Sequence, residues 1–145
     1  MTESQPLRVA IVVLGEIGQS PRMQLHARAL AAQGAFVDMI AYAGRLTPDW
    51  LRSHPRIRLW PLPAPGWAKR HEAPRALFTA YSLVRLLRVA FSLLWTLTMR
   101  TPRPDVVLIQ TPPSIPAMPF SLLAARFRGA MTIIDWHNYG YTILA

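Results

Sequence analysis

Residues 8–14, RVAIVVL, followed by Gly15-Glu16-Ile17-Gly18-Gln19-Ser20-Pro21-Arg22, decide the fold. The apolar run predicts a buried strand, and the glycine-bearing loop behind it leads to a place where a helix can start. Ser20 suits the N-cap, Pro21 the first helical position and Gly34 the stop, which predicts a helix over 21–33. Met23, Ala27, Leu30 and Ala31 supply its inner stripe. Outward from this unit, strand and helix patterns alternate. Residues 36–42 read as a second strand and 56–60 as a short third one, and the proline-rich stretch PLPAPGW then reads as a bend. A long apolar helix is predicted over 74–99, a fourth strand over 105–109, a turn at TPPSIP, a helix ending near Arg128 with Gly129 as its stop, and a fifth strand over 131–136. Such alternation predicts an α/β fold, a parallel sheet flanked by helices, with residues 1–145 as one doubly wound unit.

The chain has 145 residues, 52% of them hydrophobic and 16% charged, which suits one domain with a real core and excludes disorder. Mean hydropathy is +0.20, so some apolar surface is expected to face something other than water or its own core. The net charge of +9 is almost wholly arginine, since Lys69 is the one lysine. Arginine in this excess points to anionic partners, either phosphorylated substrates or an anionic membrane face. Nucleic acid is not expected, because the arginines are spread along the chain without a nucleic-acid motif. With no cysteine, disulfides, zinc–thiolate sites and cysteine nucleophiles are excluded. No cofactor is expected. The polar, acidic lead before Val9 lacks the basic start and long apolar stretch of a signal peptide, so a cytoplasmic location is expected.

Two loops carry the candidate chemistry, both beyond carboxyl ends of strands, where open parallel sheets bind ligands. The first holds Gly15, Glu16, Gly18 and Arg22. Glycines there let a ligand approach the backbone, and the helix N-terminus aims N–H groups at an anion. The spacing is not the dinucleotide fingerprint, and a plain tight turn fits it as well. The second is Asp135-Trp136-His137-Asn138-Tyr139-Gly140-Tyr141-Thr142, dense in polar side chains around a histidine able to act as acid or base. Asp135 as a helix cap and His137 as a structural hydrogen-bonder stay open beside that reading. Gln110-Thr111-Pro112-Pro113-Ser114-Ile115-Pro116 forms a rigid loop on the same edge, with Ser114 placed to cap the next helix. Residues 76–100 could nearly span a bilayer, but Arg85 and Arg88 sit mid-helix, and each would cost ~2.5–3.5 kcal/mol in the hydrocarbon. Arg85, Arg88, Ser92 and Thr96 make one polar stripe against a wide apolar face, which predicts an in-plane interfacial helix touching the membrane through Leu87, Leu94 and Trp95, with Arg85 and Arg88 at its edge. A helix packed between the sheet and a partner domain is the alternative.

The blocks VVLGEIGQSPRMQLHARAL, VDMIAYAG, VLIQTPPSIPAM and IIDWHNYGYTILA, in that order, resemble the chitobiosyldiphosphodolichol β-mannosyltransferases. The resemblance covers the whole chain. It implies the Rossmann-like N-terminal half of a GT-B glycosyltransferase, in which this half holds the acceptor and a C-terminal domain holds most of the nucleotide. The implied reaction is metal-free, inverting transfer of mannose from GDP-mannose, or another nucleotide sugar, to a lipid-linked diphosphate acceptor at the cytoplasmic face of a membrane. Glu16 and His137 are the implied candidates for the base. Gly15, Gly18, Arg22, Ser114, Asp135, Asn138, Tyr139 and Gly140 are the implied substrate-binding set, with Asp135 orienting or capping. Eukaryotic members carry a membrane-spanning lead and commonly aspartate where this chain has Glu16, departures that point to a bacterial relative with another lipid-linked acceptor. Residues 141–145 read as the opening of a further helix, so a truncated chain, inactive alone, is expected. A non-catalytic membrane adaptor presenting the acceptor to a separate nucleotide-binding chain is the rival reading, and a plain ligand-binding α/β domain a second rival.

Overall fold

A computed structural model describes residues 5–42, 44, 47–63 and 75–136. Its centre is the strand read first from the sequence. β1 (Arg8–Glu16) lies between β2 (Phe36–Tyr42) and β4 (Val106–Thr111), with β3 (Ile57–Leu62) and β5 (Met131–Trp136) at the two edges. The order is β3-β2-β1-β4-β5, and every pairing is parallel. Central position explains the continuous apolar run: Ala10, Ile11 and Val12 have no exposed surface, one set facing each side of the sheet.

On one face, Val9, Ile11, Val13, Val37 and Met39 meet Met23, Ala27 and Ala31 of α1 (Pro21–Ala32), and Leu51 of α2 (Asp49–Ser53) joins them. On the other, Ala10, Val12, Leu14, Ile40, Val107 and Ile109 meet Val89, Leu93 and Leu97 of the long helix and Ala124 and Ala125 of α4 (Ala117–Arg128). Each fully buried Leu, Ile, Val or Met side chain contributes about 1.5–3 kcal/mol, so this two-sided burial dominates stability. The long helix is α3 (Arg75–Trp95), continued by a π-helical turn over Thr96–Arg100. Its end is tied to the end of α4 by Arg128, which donates to the carbonyls of Thr98 and Thr101. Gly34 (φ 91°) and Gly129 (φ 66°) end α1 and α4 in the left-handed region, the role expected of both.

Several expectations are corrected at element ends. β1 runs on through Gly15 and Glu16, so Glu16 is the last strand residue, paired with Tyr42, rather than a loop residue. Ser20 precedes α1 without a side-chain capping bond, and the helix starts on Pro21. α4 likewise starts after Pro116 with no side-chain cap, so Ser114 does not cap it and contributes its carbonyl, 2.8 Å from the Met118 N–H. β3 extends through Pro61, because an edge strand leaves the missing N–H facing no partner. Short α2 was not foreseen; its one buried side chain is Leu51.

Candidate functional site

The chain leaves β1 for β2 and β3, then crosses back through α3 to β4 on the other side of β1. That reversal puts a topological switch point between β1 and β4, the place where such sheets open a crevice at their carboxyl ends. The residues that end the strands there are Tyr42, Glu16, Thr111 and Trp136, with Asp135 one step before the last.

Glu16 is partly exposed at the end of β1. Its carboxylate lies over Gly44, where a Cβ would stand 2.7 Å from both Cδ and Oε2. Gly44 is therefore the seat of the Glu16 carboxylate, and any side chain would evict it. The seat opens beside a cavity of about 210 Å³ lined by Ile17, Tyr42, Gly44, Thr47, Arg52 and Trp60 among others. Tyr42, the register partner of Glu16, has its hydroxyl pKa raised by burial, with the nearby Arg85 charge pulling it partly back.

Across the switch point, Arg22 in the first turn of α1 reaches Asp135 on β5, with Nε 3.2 Å from Oδ2. The Asp135 side chain is largely buried, whereas that of Arg22 is half exposed. Oδ2 is shielded and receives no hydrogen bond, so the contact is a charge pair out of line with the N–H. Its register partner Gln110 likewise has a shielded Oε1 without a hydrogen-bond partner. The Thr111 hydroxyl donates to the Asp135 carbonyl over 3.3 Å. Asp135 thus belongs to β5 and pairs with Arg22, and the helix it was expected to cap lies outside the described residues. An anion arriving at the α1 N-terminus would share Arg22 with Asp135.

The structure brings Gly15, Glu16, Gly18, Arg22, Ser114 and Asp135 to one edge of the sheet. His137, Asn138, Tyr139 and Gly140 lie outside the described residues. Among the described residues no cluster of three or more His, Asp or Glu side chains is arranged to hold a metal. Tyr42 and Gly44 were not singled out from the sequence, and Gln110 and Thr111, expected in a rigid loop, are the last residues of β4. A glycine two residues past the second strand was the available signal for Gly44.

α3 flanks this edge in an unusual orientation. Val89, Leu93 and Leu97 point to the core, and the expected polar stripe lies beside them: Thr96 is buried, Ser92 and Arg85 half-buried, Arg88 exposed. The outward circumference is apolar, with Leu83, Val84, Leu87, Phe91 and Trp95 between 50% and 66% exposed. Phe91 and Trp95 stack there, ring centroids 6.2 Å apart. Leu94 is half-buried against the core, which removes it from the expected outward set of Leu87, Leu94 and Trp95. The helix over Phe78–Arg100 is long and apolar enough to cross a membrane.

Comparison with known proteins agrees with this geometry. A UDP-glycosyltransferase named TURAN from Arabidopsis thaliana is 39% identical over 95% of this chain and 30% of its own length. Chitobiosyldiphosphodolichol β-mannosyltransferases from Yarrowia lipolytica and Homo sapiens are each 35% identical, over 95% and 94% of this chain and 29% and 28% of theirs. The chain therefore spans about 30% of the length of these relatives. Among solved structures, the C-terminal domain of a hydrogenase from Pyrococcus furiosus superposes with a TM-score of 0.57 at 15% identity, over 94% of this chain and 95% of that one, a likeness of fold alone. The glycosyl transferase 4-like domain matches residues 18–144, and with four in-order sequence blocks and a switch-point crevice in agreement, the chain belongs to that glycosyltransferase domain family.

Proposed function

We propose that this chain is the acceptor-side half of an inverting glycosyltransferase that moves mannose from GDP-mannose to a lipid-linked diphosphate acceptor at the cytoplasmic face of a membrane. The observation that carries this reading is the meeting, at one sheet edge, of a seated carboxylate and an outwardly apolar helix. Glu16 on its Gly44 seat takes the proton of the acceptor hydroxyl. The hydroxyl oxygen then bonds the anomeric carbon from the face opposite the phosphate, the carbon–phosphate oxygen bond breaks with its electron pair, and the nucleoside diphosphate leaves. Arg22 and the first turn of α1 meet diphosphate charge, with Asp135 holding the guanidinium in place. Gly15 and Gly18 leave the backbone open to the ligand, and Ser114 stands on the same edge. His137, Asn138, Tyr139 and Gly140 follow Trp136 directly and complete the acceptor contacts, with His137 as the rival base. The outer face of α3, through Leu87 and Trp95 with Arg85 and Arg88 beside it, lies on the membrane that carries the acceptor.

One relative's name specifies UDP without a sugar, and the others' names specify mannose without a nucleotide. The test is therefore run with both donors. The full-length protein carrying this segment, given GDP-mannose and a lipid-linked diphospho-sugar, should form a β-linked product, and the 145-residue chain alone should form none. Glu16→Gln should lower kcat by about 10²–10⁴-fold, while His137→Ala should act mainly on KM. Turnover with UDP-sugars alone would replace the donor assignment. Full kcat in Glu16→Gln with loss in His137→Ala would transfer the base to His137.

A further inference from the structure

At the amino-terminal edge of the sheet, opposite the proposed acceptor site, a second cavity of about 130 Å³ is lined by Arg8, Phe36, Asp38, Pro55, Arg56 and Arg58 with neighbouring backbone. Its charge does not balance. Among the described residues Asp38 is the one carboxylate in the lining, and both its oxygens are taken. Oδ2 accepts from Arg8 Nη1 at 3.1 Å, and Oδ1 accepts from the Trp60 indole N–H at 2.8 Å. Asp38 is 1% exposed, and among the described residues its side-chain hydrogen bonds come from Arg8 and Trp60 rather than from Arg56 or Arg58. Arg56 and Arg58 therefore bring two positive charges that no lining side chain neutralises.

The arginines are also held in a shape that suits an oxyanion. Arg8 and Arg56 flank the Phe36 ring, their guanidinium carbons 5.1 Å and 5.2 Å from its centroid. Arg58 lies 5.8 Å over Trp60, and Arg100, at the end of the π-helical turn, lies 5.6 Å from that ring. Arg56 additionally donates to the Gly34 carbonyl at 2.7 Å. Stacked guanidinium groups keep their in-plane N–H donors free for hydrogen bonding, and two such groups around a concave space match the forked donor pattern that phosphate oxygens accept. At about 130 Å³ the cavity has room for one tetrahedral oxyanion.

We propose that the cavity between Arg8, Arg56 and Arg58 is a phosphate-binding site, taking a phosphate group as free phosphate or as a phosphomonoester headgroup. It lies at the end of the sheet away from Glu16 and Arg22. Arg56 and Arg58 bind the anion, and Arg8 orients its neighbours through Phe36 and Asp38.

The test is calorimetric titration of the chain with inorganic phosphate at constant ionic strength, with chloride as the blank. The Arg56→Gln/Arg58→Gln pair should weaken phosphate binding at least about tenfold, since two charge-assisted contacts are lost. Arg126→Gln, an exposed arginine outside the cavity, should leave it unchanged. Arg58→Gln alone removes no backbone hydrogen bond; if the double variant melts early, that single variant carries the test, with a loss of about threefold or more. Flotation with phosphatidylcholine vesicles, with and without phosphatidic acid, separates the sources. Binding to phosphatidic acid that falls in the variants and is competed by phosphate assigns the headgroup. Vesicle binding untouched by the variants, with phosphate binding lost, assigns the free ion. Phosphate heats equal to the chloride blank, or equal in wild type and folded variants, would overturn the site.

Discussion

Replacing Gly44 by alanine moves the proposed base without touching it. The new Cβ would sit 2.7 Å from Cδ and Oε2 of Glu16, whereas ordinary contact starts near 3.4 Å, so the carboxylate must retreat by about 0.7 Å or turn away. The group that yields is the free end of a flexible side chain, and the cost in stability is that of one off-rotamer side chain, about 0.5–1.5 kcal/mol. Catalysis is less forgiving, because a misplacement of about 1 Å costs on the order of 10²-fold. The assay is kcat at saturating donor and acceptor in the full-length protein, with a thermal melt on the same preparation. Gly44→Ala should lose about 10²-fold in kcat with a small change in Tm, and in a Glu16→Gln background the same change should add almost nothing, because both act on one proton transfer. A kcat within about twofold of wild type, with the fold intact, would show that the carboxylate's position is immaterial and remove Glu16 from the mechanism.

Leu87→Ser with Trp95→Ser should release the protein from anionic vesicles in flotation while leaving the melt nearly unchanged, since both side chains are at least half exposed. Added salt should weaken wild-type binding only in part, because apolar burial is not screened. Asp38→Ala should destabilise by about 2–3 kcal/mol in chemical denaturation, because it strands Arg8 and the Trp60 N–H together. Tyr42 should ionise above the ordinary tyrosine value of about 10, burial outweighing Arg85. The folded state then holds that proton more tightly than the unfolded chain, so the contribution is complete below the unfolded pKa and is lost as pH rises through the folded one. Tyr42→Phe should flatten that alkaline fall in stability, and an unchanged slope would contradict the burial.

The sequence made the central architecture readable because β1 is buried on both faces and α1 carries a proline start and a glycine stop. β2 and β5 were bounded correctly, the first by its register inside the sheet and the second by the glycine before it. Strand ends were harder. Gln110, Thr111 and Glu16 look like turn residues, yet they extend strands because a parallel neighbour continues beside them, and Gly15 falls in the break of register between Val13 and Glu16. Pro61 looked like a breaker and is tolerated because β3 is an edge. Single residues cannot show partnership at a distance: the ion pair of Arg22 with Asp135 joins positions far apart in the chain, and the space that Gly44 leaves for Glu16 exists only once β1 and β2 are paired. The apolar excess of α3 was plain, but which side faced inward was not, since the polar stripe turned out to border the packed face.

The placement of α3 sets a length scale. Its Arg85 acts on Tyr42 at the tip of β2, so the helix draws level with the strand ends there, and residues 78–84 continue past them for about 10 Å at 1.5 Å per residue. A bilayer's headgroup layer is only about 5–8 Å deep on each side. With the outer face of α3 lying in that layer, as proposed, Glu16 would stand one helix diameter, about 10 Å, above it, at a height fixed by the packing of the helix on the sheet. On the proposed reading the helix then acts as a spacer: a sugar tethered too closely to its lipid would stay below Glu16, and one carried on a diphosphate stalk would reach it, whatever sugar it is.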